Sequence, residues 1–201
     1  MCLLLETIRI ENSTIRNLEY HNKRLNHSRK ELFNCNDRIN LAEIITSEVA
    51  TKKEKNLFKC RITYAKQIEK IEFMPYQMPA ISLLKLVFDD QLDYAYKFSD
   101  RSCLNELFEK RGNCDDILIV KRGLITDTSY ANVLFFNGKE WLTPTHPLLR
   151  GTQRASLLNR ELVRVADIRP EDLKHFEKAR IINAMIRFED ALDINILNIH
   201  S

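Results

Sequence analysis

The sequence predicts an α+β protein, because helical and strand-like patterns occupy separate stretches of the chain. From Asn17 to Phe33, mostly apolar residues recur at steps of three and four, as on one face of a helix. Three later runs are short and rich in β-branched and aromatic residues, which is typical of strands. These runs are LFKCRITYA (57–65), EKIEFMPY (69–76) and SLLKLVF (82–88). We therefore place one α+β subdomain at residues 1–90 and a second at 91–201.

The N-terminal half contains one more strand and one more helix. Residues 2–10 alternate weakly between apolar and polar side chains, and Asn12–Ser13 follow as a turn. Leu41 and Ile45 mark the apolar face of a second helix that extends to Val49.

The second half mixes short helices and strands. Gly112 ends a predicted helix, because glycine is the usual residue just past a helix C-terminus, and an Asn-Gly pair favours a tight hairpin. The predicted elements are a polar connection over 89–100, a helix over Leu104–Lys110, a strand over 115–123, a hairpin at Asn137–Gly138, a helix from near Gly151, and a helix followed by a strand within 171–186.

Composition argues against several classes of protein. The 201 residues carry a net charge of +3, too small for a nucleic-acid surface, and no stretch is long and apolar enough to cross a membrane. The five cysteines form no CxxC pair and the histidines have no metal-site spacing, so we expect reduced thiols, no metal and a cytoplasmic location. Nucleotide-binding glycine motifs and the common hydrolase motifs are absent. The residues alone indicate a soluble α+β domain.

Several motifs occur in an order and spacing that match a known family. They are LETIRI (5–10), HNKRLNHS (21–28), YKFSDR (96–101), GLITDTSYANVLFF (123–136), PLLRGTQR (147–154) and INAMI (182–186). Together they resemble the class IV aminotransferases, which are fold-type-IV enzymes of pyridoxal 5'-phosphate (PLP). The resemblance implies a D-amino-acid aminotransferase-like architecture, with two small α/β subdomains and the cofactor between them. It also implies a homodimer that acts on a small-molecule substrate.

The resemblance gives Lys97 and Asp127 their roles. Lys97 matches the lysine that binds PLP covalently and moves a proton at the substrate. Tyr94, Tyr96 and Phe98 flank it, so we expect partial burial, which favours the uncharged amine. Asp127 stands where the family has the glutamate that keeps the pyridine nitrogen protonated. From the residues alone, a turn or capping role for Asp127 stays open.

The phosphate of the cofactor is assigned to two segments. Gly151, Thr152 and Gln153 open a helix, and a helix N-terminus binds anions through its N–H groups. Arg24 matches the family's phosphate-binding arginine, although a solvated helix residue is the alternative without the resemblance. Asn183–Ala184 complete the cofactor contacts that the resemblance implies.

Within the family, two details favour the 4-amino-4-deoxychorismate lyases. The lyases tend to have Asn-Ala, as at Asn183–Ala184, where aminotransferases have Gly-Thr. Thr7 falls where the lyases carry a threonine close to the cofactor, which makes it a second candidate catalytic residue. The implied products are pyruvate and 4-aminobenzoate, a folate precursor. Two alternatives stay open: an amino-acid aminotransferase of the branched-chain or D-amino-acid type, and a catalytically degenerate PLP-binding homologue with a short chain. The role of Asn132, which matches a family asparagine, also stays open.

Overall fold

The computed structural model describes residues 2–51 and 57–201, and the side chains of all of these except 47–51. They form two compact units. The first consists of the chain up to Met78 together with Tyr96–Asp100, and the second of Pro79–Ala95 and Arg101–Ser201. This division differs from the predicted boundary after residue 90 in two ways: residues 79–90 belong to the second unit, and a short segment around Lys97 returns to the first.

The first unit combines an antiparallel sheet with helices. Its elements are β1 (Leu4–Glu11), β2 (Thr14–Ile15), α1 (Leu18–Phe33), α2 (Leu41–Thr51), β3 (Leu57–Tyr64) and β4 (Ile68–Pro75). The strand order is β2-β1-β3-β4, and every neighbouring pair is antiparallel. Asn12 and Ser13 form the turn after β1, both at positive φ. The strands and helices predicted before residue 79 are therefore confirmed, and only the short β2 was missed there. The strand predicted over 82–88 exists but belongs to the second unit.

Alternation along β1 decides which side chains face the core. Leu4, Glu6, Ile8 and Ile10 point to the same side of the strand and are all buried. Leu25 of α1 packs in the same apolar cluster. An acidic residue therefore occupies a core position within an otherwise apolar row.

The segment around Lys97 pairs with β1. The backbone N–H of Leu5 donates to the carbonyl of Lys97 at 2.9 Å. Two residues further on, the N–H of Ser99 donates to the carbonyl of Leu3 at 2.8 Å. These bonds explain why this stretch belongs to the first unit, although the residues on both sides of it belong to the second.

The second unit is a mixed sheet with short helices. Its α-helices are α3 (Ser102–Phe108) and α4 (Thr152–Asn159), and its strands are β5 (Leu84–Phe88), β6 (Asp116–Lys121), β7 (Leu124–Thr128), β8 (Asn132–Phe136), β9 (Trp141–Pro144), β10 (Arg164–Ala166), β11 (Lys178–Ile182), β12 (Ile194–Asn195) and β13 (Ile199–His200). The strand order is β10-β9-β8-β7-β6-β5-β13, with β11 pairing both β8 and β12. A 3-10 turn, Glu109–Arg111, follows α3 and ends at Gly112 with φ 60°, as the glycine predicts.

Strand β8 brings several candidate residues to one end of this sheet. Asn132, its first residue, is the register partner of Asp127 on β7 and of Ile182 on β11. Asn183 follows directly after Ile182. The start of β8 therefore lies beside both the signature aspartate and the Asn-Ala pair.

Two predictions for this unit need correction. The hairpin after β8 is confirmed, but its loop has four residues, because the side chain of Asn137 accepts the N–H groups of the two residues after Gly138. The strand predicted within 171–186 is β11, whereas the helix before it is a short 3-10 helix, Pro170–His175. Leu173 is the one buried residue of this helix, so it lacks the apolar stripe that supports an α-helix.

Two features are absent from the described ranges 2–51 and 57–201. No helix there combines the length and the apolar character needed to cross a membrane. In the same residues, no three histidine, cysteine or acidic side chains gather closely enough to hold a metal ion.

Candidate active site

A buried cluster of charged side chains joins β1 to α1. Arg24 donates through Nε to Glu6 Oε1 at 2.8 Å, and through Nη2 to Oε2 at 2.6 Å. His21 Nδ1 lies 2.5 Å from the same Oε2 atom. Glu6 and His21 are wholly buried, and the side chain of Arg24 is only 14% exposed. The alternative that Arg24 is a solvated helix residue is therefore wrong.

The charges in this cluster follow from burial and from close contact. Burial alone would raise the pKa of Glu6, but the charge of Arg24 and the hydrogen bonds from His21 and Arg24 outweigh it and lower the pKa to about 2. Burial lowers the pKa of His21, against the opposing effect of Glu6, and the charges of Arg24 and Lys97 lower it further. At neutral pH the cluster therefore holds a carboxylate, a guanidinium and a neutral imidazole that donates to the carboxylate.

The two candidate catalytic residues lie on or beside β1. Thr7 follows Glu6, so alternation turns its side chain to the opposite face of the sheet, where it is half-buried and pairs across the strands with Arg61. Lys97 is also half-buried. This exposure confirms the partial burial that its aromatic neighbours predict. Two of those neighbours, Tyr96 and Phe98, lie with their ring centres 6.1 Å apart.

In the second unit, Asp127 lies inside β7 and is only 5% exposed. Its Oδ1 accepts a hydrogen bond from Asn132 Nδ2 at 2.8 Å, and its Oδ2 accepts one from the N–H of Leu149 at 2.9 Å. Burial raises the pKa of Asp127 to about 6, although these hydrogen bonds and the charge of Arg154 act in the opposite direction. The alternative of a turn or capping role is wrong, because the residue is a buried member of a strand.

Asn132 ties Asp127 to the loop before α4. Besides the bond to Asp127, its Nδ2 donates to the carbonyl of Leu149 at 2.9 Å. Its Oδ1 lies against Gly151 so closely that a Cβ added there would be 2.0 Å away. The backbone of Gly151 (φ −65°, ψ 146°) is one that any residue can adopt. Glycine is therefore required here for the close approach of Asn132 and not for its backbone conformation. Asn132, whose role the sequence left open, therefore connects the carboxylate with the start of the helix.

The residues assigned to the phosphate begin α4, as predicted. Gly151 is the residue just before the helix, and Thr152 and Gln153 are its first two members, both almost completely buried. In the loop after β11, Oδ1 of Asn183 accepts the N–H groups of the residues two and three positions later, at 2.8 and 3.0 Å. The side chain of Asn183 therefore shapes the turn that contains Ala184.

The predicted site residues fall into two groups, one in each unit. Thr7, Arg24 and Lys97 belong to the first unit, and Asp127, Gly151, Thr152, Gln153, Asn183 and Ala184 belong to the second. The placement of a cofactor between the two subdomains stays a prediction.

Both groups contain features that fit a phosphorylated pyridine. Asp127 is a buried carboxylate whose pKa is raised, because its surroundings supply too little positive charge to offset the cost of burying the ionised form. A protonated ring nitrogen beside it would supply that charge. Gly151 lets the backbone approach Asn132 and precedes a helix whose first N–H groups can receive an anion. Arg24 adds a guanidinium that Glu6 already orients through two hydrogen bonds, and a guanidinium suits a phosphate group.

Similarity to known proteins identifies the family. Residues 100–188 match the model of the family described as Amino-transferase class IV. An uncharacterized protein of Haemophilus influenzae is 39% identical over 184 residues, which cover 90% of this chain and 97% of that protein. A crystal structure from Haemophilus somnus is 37% identical, with a TM-score of 0.89, and the match covers 94% of this chain and 98% of that one. The chain belongs to the class IV aminotransferase family.

Class IV aminotransferases are PLP-dependent enzymes, and the fold of this member agrees with that class. The Haemophilus somnus protein is provisionally assigned as a 4-amino-4-deoxychorismate lyase. A PLP-bound structure of a hypothetical aminotransferase from Mycobacterium tuberculosis is 17% identical, with a TM-score of 0.76, over 96% of this chain and 80% of that one. At that identity the likeness shows the fold alone, and the fold-type-IV prediction is confirmed. The matches cover nearly the whole of both Haemophilus relatives, 97% and 98% of their lengths.

Sequence reasoning missed two members of the buried cluster that surrounds Arg24. Glu6 lies in the motif LETIRI and His21 begins the motif HNKRLNHS, but neither residue was given a role. The available signal was an acidic residue at a core-facing position of β1, with Leu4 and Ile8 on either side. A buried carboxylate requires a cationic or donor partner, and such residues lie on the facing helix.

Proposed function

We propose that this protein is a PLP-dependent lyase that converts 4-amino-4-deoxychorismate into 4-aminobenzoate and pyruvate. The observation that carries the proposal is the 37% identity, over 94% of the chain, to the protein assigned provisionally to that reaction. Three residues of this chain agree with the choice: Thr7 on β1 and the Asn183–Ala184 pair after β11. PLP, when bound, supplies an electron sink that stabilises negative charge at the carbon bearing the substrate amine.

Different residues of the chain would bind different parts of the cofactor. Lys97 would hold the cofactor through its amine. The carboxylate of Asp127 would hold a proton at the ring nitrogen, since a buried carboxylate favours a cationic partner. Arg24 and the first N–H groups of α4 would bind the phosphate, the guanidinium by charge-assisted hydrogen bonds and the helix by its dipole.

Lys97 would also carry out the proton transfer. With the substrate held at the cofactor, the amine of Lys97 would remove the proton from C4. The C3–O bond of the substrate then breaks, and the departing enolpyruvate takes the bonding electrons and gains a proton to become pyruvate. The ring that remains is 4-aminobenzoate. Thr7 is the second side chain that we place at the reacting atoms.

The purified protein, supplied with PLP and 4-amino-4-deoxychorismate, tests this function. We expect 4-aminobenzoate and pyruvate in equal amounts, with no product from Lys97→Ala. Borohydride reduction followed by peptide mapping should place PLP on Lys97, and label on another lysine would contradict the site. Thr7→Val should lower kcat while PLP attachment to Lys97 is retained.

The same preparation separates the lyase from its alternatives. The runner-up, an amino-acid aminotransferase, would show rapid ping-pong transfer between an amino acid and a 2-oxo acid without forming 4-aminobenzoate. A degenerate homologue would show neither reaction. An absorption spectrum with PLP that is unchanged by Lys97→Ala would oppose both enzymatic functions.

A further inference from the structure

We propose that Glu6 and His21 are positioning residues, which fix the guanidinium of Arg24 for a phosphate monoester before the ligand arrives. The inference rests on the proposed function for the identity of that ligand. The geometry supports it, because Glu6 engages Arg24 through two hydrogen bonds at 2.8 and 2.6 Å. A planar, two-point contact of this kind sets both the position and the plane of a guanidinium.

His21 fixes Glu6 in turn. Its Nδ1 lies 2.5 Å from Oε2, the same oxygen that Arg24 Nη2 contacts. Glu6 and His21 are wholly buried, so water does not compete for either partner. Burial also lowers the pKa of His21, which keeps the imidazole neutral and leaves the Glu6 charge for Arg24. The chain of contacts therefore runs from a buried imidazole through a buried carboxylate to a partly exposed guanidinium.

The surroundings make a purely structural role a poor explanation. The cluster lies in an apolar core that includes Leu4, Ile8 and Leu25. Buried ion pairs in such cores contribute little net stability compared with apolar side chains of similar size. Other charged or titratable groups that act on the cluster are Tyr64 from β3 and Lys97 from the segment paired with β1. Buried contacts that hold a partly exposed arginine in one orientation are what a positioning role requires.

A comparison of PLP with pyridoxal, which lacks the phosphate, tests the proposal. We expect Glu6→Gln and His21→Leu to raise the dissociation constant for PLP roughly tenfold, as the loss of supporting contacts does at other preorganised sites. The dissociation constant for pyridoxal should change less than about twofold, because its recognition does not involve Arg24. His21→Asn places an amide donor near the position of Nδ1 and should restore PLP affinity.

Asp37→Asn is the matched control. Asp37 accepts a hydrogen bond from buried Arg29, also on α1, at 2.8 Å, outside the Glu6 cluster. It should leave both dissociation constants unchanged. If Glu6→Gln yields no folded protein, the comparison of His21→Leu with His21→Asn decides the question. An equal loss of PLP and pyridoxal affinity, or no loss of either, would contradict the positioning role.

A measurement without cofactor keeps this test separate from the proposed function. Nitrogen-15 relaxation at Arg24 Nε in the protein alone should show an ordered side chain in the wild type and in His21→Asn, and a mobile one in His21→Leu. A mobile Arg24 in the wild type would refute the inference, even if the lyase reaction is observed. An ordered Arg24 in a protein that does not bind PLP would refute the proposed function and its phosphate ligand, but not the positioning.

Discussion

Glu6 and Asp127 are both buried carboxylates, yet burial affects them with opposite net results. Glu6 has a guanidinium and an imidazole against it, and its pKa is lowered from 4.5 to about 2. Asp127 is held mainly by an amide and by backbone N–H groups, and its pKa is raised from 3.8 to about 6. The charge of the nearest partners, not the depth of burial, therefore decides the direction. Asp127 is the carboxylate that gains from a cationic ligand.

This difference predicts how the stability of the protein without cofactor depends on pH. Because the folded pKa of Asp127 is raised, its contribution is complete below pH 3.8 and is lost as the pH rises through 6, a loss of about 3 kcal/mol in the free energy of unfolding. Glu6 has the opposite sign, since its contribution is present above pH 4.5 and is lost as the pH falls through 2.

Urea unfolding between pH 4.5 and 7 checks this prediction, in a window where Glu6 stays ionised. His21 titrates in the same window in both the wild type and Asp127→Asn, and its lowered pKa makes stability rise with pH. The difference between the two proteins therefore isolates Asp127: the free energy of unfolding of the wild type should fall with pH relative to that of Asp127→Asn.

Asp115→Asn changes a partly exposed carboxylate whose pKa is lowered by hydrogen bonds from Ser82 and Leu83, so it titrates below this pH window and should keep the wild-type slope. Equal slopes for the wild type and Asp127→Asn would contradict the assigned pKa shift.

At the scale of elements, Asn132 connects β7, β8 and the start of α4. It bonds Asp127 and the carbonyl of Leu149, and it occupies the space that a side chain at position 151 would need. The N–H of Leu149 bonds Asp127 in return. The carboxylate and the helix N-terminus are therefore held in one hydrogen-bonded arrangement, so a change at either is expected to affect the other.

A double-mutant cycle between Asn132 and Gly151 measures this connection. Gly151→Ala should destabilise the protein by about 1–3 kcal/mol, because the new Cβ meets Asn132 Oδ1. Asn132→Ala should cost about 1–3 kcal/mol, because Asp127 and the Leu149 carbonyl lose a donor. The double variant should lose less than the sum by about 1 kcal/mol or more, since the backbone at position 151 suits alanine once Asn132 is short. Chemical unfolding gives these values, and strict additivity would refute the clash.

How well the sequence predicts an element depends on where its signal lies. Helix α1 and strand β3 have patterns within their own residues, and their bounds were predicted to within a residue or so. The 3-10 helix at Pro170–His175 was misread as an α-helix, because its charged residues fit a helix while only Leu173 is buried. Short strands such as β13 depend on a distant partner, β5, and have no local pattern that predicts them.

The same distinction applies to the candidate site. Arg24 and Asp127 were found through motifs, which are local. Their partners were missed or left without a role, because Glu6 and Arg24 are separated by 18 residues along the chain and Asp127 and Leu149 by 22. Such pairs meet only after the strands and helices have assembled. Sequence reasoning therefore predicts which side chains carry the chemistry better than it predicts which side chains hold them in place.

At the scale of the whole molecule, the path of the chain is the notable feature. It leaves the first unit after Met78, returns for Tyr96–Asp100, and leaves again at Arg101. The returning segment carries Lys97 and is attached to β1 through backbone hydrogen bonds, including Ser99 N–H to the carbonyl of Leu3. The candidate catalytic lysine therefore lies in a segment that a short strand pairing attaches to the first unit.

Ser99→Pro tests that attachment, because proline removes the N–H that bonds Leu3 and still allows the extended backbone of the residue before it. We expect the amide of Leu5, which donates to the Lys97 carbonyl, to exchange with solvent roughly tenfold faster or more, in line with a lost backbone hydrogen bond of about 1 kcal/mol or more. PLP labelling of Lys97 should fall in parallel, while amides of β6 and β8 in the second unit keep their protection.

Ser99→Ala retains the N–H and should match the wild type in both measurements. Unchanged exchange at Leu5 in Ser99→Pro would mean that the pairing does not hold the lysine segment, and loss of protection across both units would mean that the segment is needed for the whole fold.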